Sequence, residues 1–243
     1  MIEIVNLYKT FGGNQVLQGI NLKIEEGESL AIIGRSGSGK SVLLKHIVGL
    51  LYPDEGYVKF DGKIISDLRE KELYKIRNRF GYLFQGAALF DSMTVEENIA
   101  LPLVENNHGV STIAVEKAVA EKLALVGLKN IQKLKPSELS GGMKKRVALA
   151  RALITNPDFI LYDEPTTGLD PLMSDAIDEL IVDLNNKLNV TSIIVTHDMQ
   201  SVKKAADKVA MLHEGKIYFV GTPQEMTESK DEIVKNFIRR TGY

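Results

Sequence analysis

The residues of this 243-residue sequence with the clearest chemical potential form a short loop rich in glycine and serine. The loop consists of Gly34, Arg35, Ser36, Gly37, Ser38, Gly39, Lys40 and Ser41, which match the pattern G-x-x-x-x-G-K-[ST]. Glycines allow backbone N–H groups to surround phosphate groups, and the helix that follows adds positive partial charge. We therefore predict that the loop binds ATP, with Lys40 at the β and γ phosphates and Ser41 on Mg²⁺. A glycine-rich turn that only caps a helix is the alternative.

Two adjacent carboxylates, Asp163 and Glu164, follow an apolar run at residues 159–162. At the end of a buried strand, Asp163 could bind Mg²⁺ mostly through water, because this ion prefers oxygen ligands and keeps several waters. Glu164 could polarise the water that attacks the γ-phosphate. Simple solvation or helix capping is the alternative, but the phosphate loop in the same chain favours the catalytic interpretation.

Gln85 and His197 each follow a predicted strand. The carboxyl ends of strands are where doubly wound sheets bind ligands. We predict that Gln85 contacts both the metal ion and the nucleophilic water, and that His197 contacts the γ-phosphate or holds Glu164 in place. The alternatives are a glutamine without a role and a histidine that caps a helix.

The elements that must position these residues alternate along the chain. Apolar runs predict strands at residues 30–33, 80–84, 159–162, 192–196 and 209–212. Helical patterns separate most of them, including a long one that starts after Asp170 and Pro171, a favourable N-cap and first-turn pair. This alternation predicts an α/β fold with a mainly parallel core sheet.

Three regions are expected to add to that core. Residues 2–6, 16–24 and 57–63 read as short strands joined by glycine-containing turns, and they predict an N-terminal antiparallel β subdomain. A helical insertion, or helical subdomain, is predicted over about residues 93–155, and it begins with a capping box formed by Thr94 and Glu97. One or two polar helices are expected in a short C-terminal tail, over about residues 224–243. Together these parts predict one compact domain over residues 1–243.

The composition restricts the class of function. Thirty Lys and Arg against 32 Asp and Glu give a formal charge of −2, without the basic excess typical of nucleic-acid-binding proteins, so no nucleic acid is expected as a partner. The absence of cysteine excludes disulfides and fits a reducing cytoplasm. Neither a secretory signal nor an apolar run of roughly 20 residues is found. Any membrane role is therefore expected to depend on a separate membrane protein.

The stretch Leu139-Ser140-Gly141-Gly142-Met143 precedes a helical pattern, and by itself it reads as an N-capped turn. The chain as a whole presents, in order, the phosphate loop, Gln85, this turn, the pair of carboxylates, Gly168-Leu169-Asp170 and His197. In this order the motifs cover nearly the whole chain, and the sequence resembles the ATP-binding cassette (ABC) family. The resemblance implies a P-loop NTPase fold and ATP hydrolysis.

The resemblance also implies a head-to-tail homodimer that encloses two nucleotides. Ser140, Gly141 and Gly142 of one subunit would face the ATP held by the phosphate loop of the other. A helix start rich in N–H groups suits this contact with the γ-phosphate. We expect closure of the dimer to require ATP.

Two further roles follow from the resemblance. Phe11 would stack on the adenine ring, which is favourable for any aromatic side chain and base, whereas a place in the core is the alternative. Asp170 would cross the dimer interface and couple the two sites. The N-cap of the helix that starts at Pro171 is the other reading of Asp170, and both can hold together.

Met143 departs from the family, in which glutamine is commonest at this position. Together with the runs at residues 85–90 and 164–171, it resembles the ATPase subunits of Mla or MCE-type phospholipid transporters; neutral variation of Met143 is the alternative. This resemblance implies a transmembrane permease, an MCE-type substrate-binding protein and a small accessory subunit as partners. It also implies a peripheral location on the cytoplasmic face of the inner (cell) membrane.

The permease is expected to contact a groove between Gln85 and the helical insertion, lined by Leu89, Phe90 and Met93. An apolar cluster after a strand that belongs to the core is the alternative. Other functions stay open: an ABC importer or exporter of amino acids or lipoproteins, a soluble cassette protein that acts on nucleic acid or ribosomes, and a regulatory module that holds ATP without hydrolysing it. The sequence lacks the paired cassettes or long coiled-coil insertion of many soluble cassette proteins, and the intact pair Asp163 and Glu164 disfavours the regulatory module.

Overall fold

The computed structural model describes residues 1–106 and 109–241, which form two compact units. The first unit combines the N-terminal segment Met1–Arg77 with residues from Val190 onwards. The second unit is the intervening segment Asn78–Asn189. Each unit contains part of the predicted strand and helix pattern.

The secondary structure of the described residues largely follows the predicted order. The strands are β1 (Ile2–Phe11), β2 (Asn14–Ile24), β3 (Ser29–Gly34), β4 (Glu55–Phe60), β5 (Lys63–Ile64), β6 (Phe80–Leu83), β7 (Phe159–Asp163), β8 (Thr191–Thr196), β9 (Lys208–His213) and β10 (Lys216–Gly221). The helices are α1 (Lys40–Ile47), α2 (Glu70–Arg77), α3 (Val95–Asn106), α4 (Thr112–Leu125), α5 (Gly141–Leu153), α6 (Pro171–Leu188), α7 (Met199–Ala205), α8 (Pro223–Glu228) and α9 (Glu232–Arg240). The sequence patterns missed α2, α7 and β10.

The antiparallel sheet of the first unit has the strand order β2-β1-β4-β5, as the N-terminal strand pattern predicts. Ile4 of β1 pairs with Leu22 of β2 on one side and with Val58 of β4 on the other. One prediction was wrong here, because the single strand expected at residues 57–63 is two strands. Asp61 and Gly62 between them both have positive φ, 48° and 80°, the geometry of a tight hairpin turn.

The parallel strands of the first unit place β3 between β8 and β9. Ile33 pairs with Thr196 on one side and with Met211 on the other, so the carboxyl ends of all three strands lie at the same edge. Every residue of β3 is buried, which explains its uninterrupted apolar run. β10 pairs antiparallel with β9, and it escaped prediction because its residues alternate between exposed and half-buried.

The second unit contains the parallel pair β6 and β7, in which Leu83 lies beside Tyr162. The strand expected to reach Phe84 ends at Leu83, and the Phe84 side chain is exposed. Helix α5 packs against β6 and against α3 and α4. Gly81 allows this close packing, because a Cβ atom there would lie 2.5 Å from the Ala152 carbonyl oxygen.

The C-terminal helices α8 and α9 are more amphipathic than the polar helices expected. Met226, Val234 and Phe237 are buried in a core cluster of the first unit that also contains Ala31 and Met211. Within the described ranges, no helix has both the length and the apolar character needed to cross a bilayer.

Candidate nucleotide-binding and catalytic residues

The residues predicted to act on ATP are divided between the two units. The first unit contains the phosphate loop at residues 34–41, Phe11 and His197. The second unit contains Gln85, the turn at residues 140–142, Asp163, Glu164 and Asp170. Each group has a defined local geometry.

The phosphate loop connects the end of β3 to the start of α1, as predicted. Gly39 is the N-cap of α1 with φ of 101°, a conformation that disfavours any side chain. A Cβ atom on Gly39 would also lie 2.9 Å from the Leu17 side chain and 3.0 Å from that of Val16. Gly37 likewise has a positive φ, 76°. The loop therefore requires glycine at both positions.

Lys40 is buried, and its Nζ atom donates to the carbonyl oxygens of Gly34 at 2.9 Å and Arg35 at 3.2 Å. The ammonium group thus lies inside the turn that the loop makes. The Oγ atom of Ser38 is buried there and has no hydrogen-bond partner among the described residues. A buried hydroxyl group normally has a partner, and a phosphate oxygen would supply one. These residues fit the polyphosphate of ATP.

Phe11 lies at the tip of the hairpin formed by β1 and β2, and it is 45% exposed, so the alternative that it belongs to the core was wrong. The Nζ atom of Lys9 lies 5.5 Å from the centre of the Phe11 ring. Lys9 also pairs with Asp54 at 2.7 Å, and the backbone N–H of Thr10 donates to the same carboxylate. The hydrogen bond from Lys9 and then that from Thr10 lower the pKa of Asp54. These contacts fix the backbone of β1 just before Phe11.

His197 is exposed and follows β8, directly after the residue that pairs with Ile33 of β3. It therefore lies at the same strand edge as the start of the phosphate loop. The alternative role as a helix cap was wrong, because the side chain of Asp198 accepts the capping hydrogen bond from the Gln200 N–H at 2.8 Å. The contact of His197 with the γ-phosphate stays a prediction.

The carboxylates at the end of β7 are buried, with Asp163 only 9% and Glu164 8% exposed, so simple solvation does not explain them. The hydroxyl group of Tyr82 donates to Asp163 Oδ2 at 3.2 Å. Burial and, secondarily, the charge of Asp163 raise the pKa of Tyr82, which keeps the hydroxyl protonated as a donor. Glu164 has a left-handed backbone with φ of 51°, and Thr167 Oγ1 donates to its carboxylate at 3.1 Å.

Gln85 lies in an exposed position just beyond β6. Its backbone carbonyl accepts a short hydrogen bond from Lys145 Nζ, which also donates to the carbonyl of Glu164 at 3.3 Å. The structure thus brings Gln85 and Glu164 together through one ammonium group. Burial lowers the pKa of Lys145, and the charges of Asp163 and Glu164 oppose that shift.

The turn at residues 140–142 starts α5, where Ser140 Oγ accepts from the Met143 N–H at 3.3 Å. The two glycines lie against the segment that follows Glu164. A Cβ atom on Gly141 would lie 3.4 Å from Leu169, and one on Gly142 would lie 3.2 Å from the Met173 sulfur. The turn is therefore N-capped and packed against the start of α6.

Asp170 is exposed and caps α6, because its Oδ1 atom accepts from the Met173 N–H at 3.0 Å. This confirms the N-cap reading of Asp170. The predicted crossing of a dimer interface concerns a second copy of the chain, and it stays a prediction.

The sequence analysis missed Tyr82, Lys145 and Thr167. A signal was available for Lys145, because it precedes Leu149 by four residues and Ala152 by seven, which places it on the buried face of α5. Tyr82 and Thr167 gave no such signal, since only the folded chain shows which carboxylate each hydroxyl contacts.

No group of three or more His, Asp or Glu side chains among residues 1–106 and 109–241 is arranged to hold a metal ion. The donors predicted for Mg²⁺ are Ser41, Gln85 and Asp163, and only one of them is a carboxylate. Such a set suits an ion that takes most of its ligands from phosphate oxygens and water.

The chain is similar to known proteins in both sequence and structure. A family model described as ABC transporter matches residues 17–167. Over 239 residues the chain is 41% identical to the intermembrane phospholipid transport system ATP-binding protein MlaF of Haemophilus influenzae, an alignment that covers 98% of this chain and 90% of that protein. It is also 41% identical over 243 residues to the probable ribonucleotide transport ATP-binding protein mkl of Mycobacterium bovis, with 99% and 67% covered.

A solved structure with the same fold is the ATP-binding cassette MJ0796, described as a dimer in a post-hydrolysis state bound to ADP and Pi. The two structures superpose with a TM-score of 0.83 at 36% sequence identity, over 92% of this chain and 99% of that one. The predicted fold class, a P-loop cassette with a parallel-dominated core sheet and an antiparallel N-terminal sheet, is confirmed by this match and by the strand pairings above.

Proposed function

The chain belongs to the ABC transporter family as an ATP-binding and ATP-hydrolysing subunit, and we propose that two copies of it energise a separate transmembrane permease that moves phospholipid. The observation that carries the phospholipid assignment is the similarity to MlaF over almost the full length of both chains. Met143 and the runs at residues 85–90 and 164–171 support it, since together they resemble the same group of ATPases.

The phosphate loop, residues 34–41, binds the triphosphate of ATP in this proposal, and Phe11 stacks on the adenine ring. Lys40 would exchange its contacts with the Gly34 and Arg35 carbonyls for contacts with phosphate oxygens. Ser41, Gln85 and Asp163 are the proposed ligands of Mg²⁺, which neutralises phosphate charge when bound.

The proposed reaction is the attack of water on the γ-phosphorus. The water oxygen forms a new bond to phosphorus, the bond to the oxygen that bridges to the β-phosphate breaks, and Glu164 accepts the proton from water. Gln85 and His197 orient the water and the γ-phosphate. Lys40 stabilises the negative charge that develops on the phosphate oxygens.

The second copy of the chain completes each site. Ser140, Gly141 and Gly142 start α5, and the N–H groups of a helix start favour an anion. We propose that this turn faces the γ-phosphate of the ATP held by the other copy, and that Asp170 crosses the interface nearby. The dimeric state of the similar cassette MJ0796 supports a homodimer.

The permease contact is proposed to involve residues 86–105. Phe90 is exposed, whereas Leu89 and Met93 are half-buried, so the alternative that all three belong to the core was wrong. Asn98 holds this loop firmly, since its side chain accepts from the Phe90 N–H at 2.8 Å and donates to the Phe90 and Thr94 carbonyls. A fixed loop with an exposed aromatic side chain suits contact with an apolar partner.

The wider assembly is also a proposal. It includes an MCE-type substrate-binding protein and a small accessory subunit, with this chain peripheral on the cytoplasmic face of the cell membrane. Within the chain we propose a single ATP-binding domain over residues 1–243, with a helical insertion over about 93–155 and a tail over about 224–243. Helices α3, α4 and α5 lie in the proposed insertion.

Copurification tests the function and the substrate together. The tagged chain is isolated from detergent-solubilised membranes, and mass spectrometry identifies the proteins and lipids that accompany it. We expect a multispanning permease, an MCE-type protein and bound phospholipid. A permease that accompanies an amino-acid or nucleotide-binding protein instead would contradict the phospholipid assignment, and recovery with ribosomes or nucleic acid would contradict the transporter assignment.

A further inference from the structure

Lys145 is a buried lysine in the second turn of α5, only 5% exposed. Lysine is almost never this buried unless its ammonium group has partners. Its partners here are two main-chain oxygens, the carbonyls of Gln85 and Glu164. These two residues lie 79 positions apart in the sequence, at the ends of two neighbouring parallel strands, β6 and β7.

The backbone on the Glu164 side is in a conformation that must be held in place. Its φ of 51° is left-handed, which is unfavourable for a glutamate and persists only where surrounding contacts impose it. The carbonyl of Glu164 accepts from Lys145 Nζ and, at 3.3 Å, from the Thr167 N–H. Lys145 therefore supports the peptide group that sets the direction of the Glu164 side chain.

The backbone on the Gln85 side is equally unusual. Ala87 and Ala88 follow with φ of 62° and 49°, both left-handed. Arg151, which lies six residues after Lys145 on α5, donates to both of their carbonyls, at 2.8 Å and 2.7 Å. Two cationic side chains of one helix thus hold successive parts of the loop that starts at Gln85.

From this arrangement we propose that Lys145 is a positioning residue for ATP hydrolysis: one ammonium group, bound to both carbonyls, sets the spacing between Gln85 and Glu164. Arg151 holds the remainder of the loop and does not reach Glu164. The inference rests on the proposed roles of these two side chains in orienting and deprotonating water. Positioning within a fraction of an ångström matters for such groups, because a displacement of about 1 Å can reduce a rate by about 10²-fold.

The test replaces Lys145 by Met, which keeps the length of the side chain but removes every donor. The matched control is Lys144→Met, which removes the same charge from the adjacent, half-buried lysine, a residue without an assigned role. The conservative variant Lys145→Arg keeps a cation with several donors. Full-length proteins are compared for kcat and KM of MgATP hydrolysis, for AMP-PNP affinity by calorimetry, and for amide hydrogen exchange.

We expect Lys145→Met to lower kcat by roughly 10- to 100-fold, with KM and AMP-PNP affinity within about threefold of the wild type, since the phosphate loop is untouched. The Ala87 and Thr167 amides, which donate to the Phe84 and Glu164 carbonyls, should exchange faster. Lys144→Met should behave as the wild type, and Lys145→Arg should recover part of kcat.

A kcat of Lys145→Met within about twofold of the wild type, or unchanged exchange of both amides, would overturn the proposal. So would a loss of AMP-PNP affinity that matches the loss of rate, because it would indicate general damage. If the Met variant does not fold, Lys145→Gln takes its place; its amide is uncharged and its side chain is shorter than that of lysine, so its contacts with the two carbonyls are weakened and a fall in kcat is again expected.

Glu164→Gln separates failure of this inference from failure of the proposed function. If that variant hydrolyses ATP normally, the proposed catalytic role of Glu164 is wrong, and the positioning role of Lys145 is refuted with it. If Glu164→Gln is inactive while Lys145→Met is fully active, the function stands and only the inference about Lys145 fails.

Discussion

At the scale of single residues, Glu164 combines three features that rarely occur together in a glutamate. It is buried, its backbone is left-handed, and its carboxylate accepts a hydrogen bond from Thr167. A non-glycine residue in this conformation costs about 1–3 kcal/mol, and such residues concentrate at functional sites. The local geometry therefore supports Glu164 as the residue that acts on water.

Replacement of Glu164 by Gln is expected to reduce kcat by at least about 10²-fold, because the amide has nearly the same shape but cannot accept a proton from water. MgATP binding should be retained, since the phosphate loop is unchanged. Phosphate release and calorimetry measure the two quantities. Near-normal steady-state hydrolysis by this variant would contradict the assigned role.

Glu214→Gln provides the matched control for this prediction. Glu214 also has a left-handed backbone, with φ of 48°, but it lies in the turn between β9 and β10 with its side chain 84% exposed. We expect its replacement to leave both hydrolysis and MgATP binding unchanged.

At the scale of elements, α5 and α9 show that the side chains a helix buries determine what the helix contributes to the protein. Helix α5 begins after its N-cap, Ser140. Its Lys145 and Arg151 side chains donate hydrogen bonds to main-chain carbonyls at and near Gln85 and Glu164. Helix α9 instead contributes apolar side chains to the core of the first unit. The first helix therefore organises proposed catalytic groups, and the second stabilises the sheet that supports the phosphate loop.

The tail helix α9 is expected to contribute to stability through Phe237, which is buried beside Met226 and Val234. Phe237→Ala should lower the free energy of unfolding by about 3–5 kcal/mol, since it removes a buried ring and leaves a cavity. Urea denaturation followed by circular dichroism measures the change. Arg239→Ala, at an exposed position of the same helix, should stay within about 0.5 kcal/mol of the wild type. Equal stability of the Phe237 variant would show that α9 is not docked in solution.

At the scale of the whole molecule, acid should weaken the fold partly through His46 of α1. This histidine is buried, its Nδ1 atom lies 2.7 Å from the Val42 carbonyl, and burial is the largest cause of its lowered pKa, below the ordinary value of 6.5. As the pH falls below the ordinary pKa of 6.5, His46 binds a proton in the unfolded chain but stays neutral in the folded chain until the pH is lower. The contribution of His46 therefore lowers the free energy of unfolding as the pH falls.

His46→Gln should flatten this pH dependence, because glutamine can donate to the same carbonyl and does not titrate. Between about pH 7.5 and pH 5.5, the wild type should lose more stability than the variant in urea denaturation. The difference between the two proteins is the quantity to compare, since carboxylates titrate in both. A variant with the same slope as the wild type would show that His46 is not the titrating group.

Assembly is the second property of the whole molecule. Glu164→Gln with MgATP should form a dimer in light scattering, because bound ATP is retained between the two proposed faces. Adding Ser140→Arg should keep the protein monomeric, since a large side chain would occupy the helix start that faces the γ-phosphate. A dimer that forms equally well without nucleotide, or despite Ser140→Arg, would contradict the proposed geometry.

The sequence by itself was enough for the family, the order of most strands and helices, and the location of the phosphate loop. These features depend on local rules: apolar runs mark β3, β7 and β8, while Asp170 and the pair Thr94 and Glu97 mark helix starts. The edge strand β10 and the short helices α2 and α7 were missed, because their patterns are too short or too exposed to stand out. The tail was expected to be polar, because its apolar residues are few. That they are buried becomes visible only when α8 and α9 pack on the core of the first unit.

Only the tertiary structure decided which side chains support the proposed catalytic groups. Lys145 bridges carbonyls that are 79 residues apart in the chain, and Tyr82 lies 81 residues from the Asp163 carboxylate that it contacts. Local sequence reveals the conformation that a segment prefers, because that preference arises from neighbouring residues. Hydrogen bonds between distant segments form only after folding has brought those segments together. No pattern of neighbouring residues in the sequence therefore predicts these hydrogen bonds.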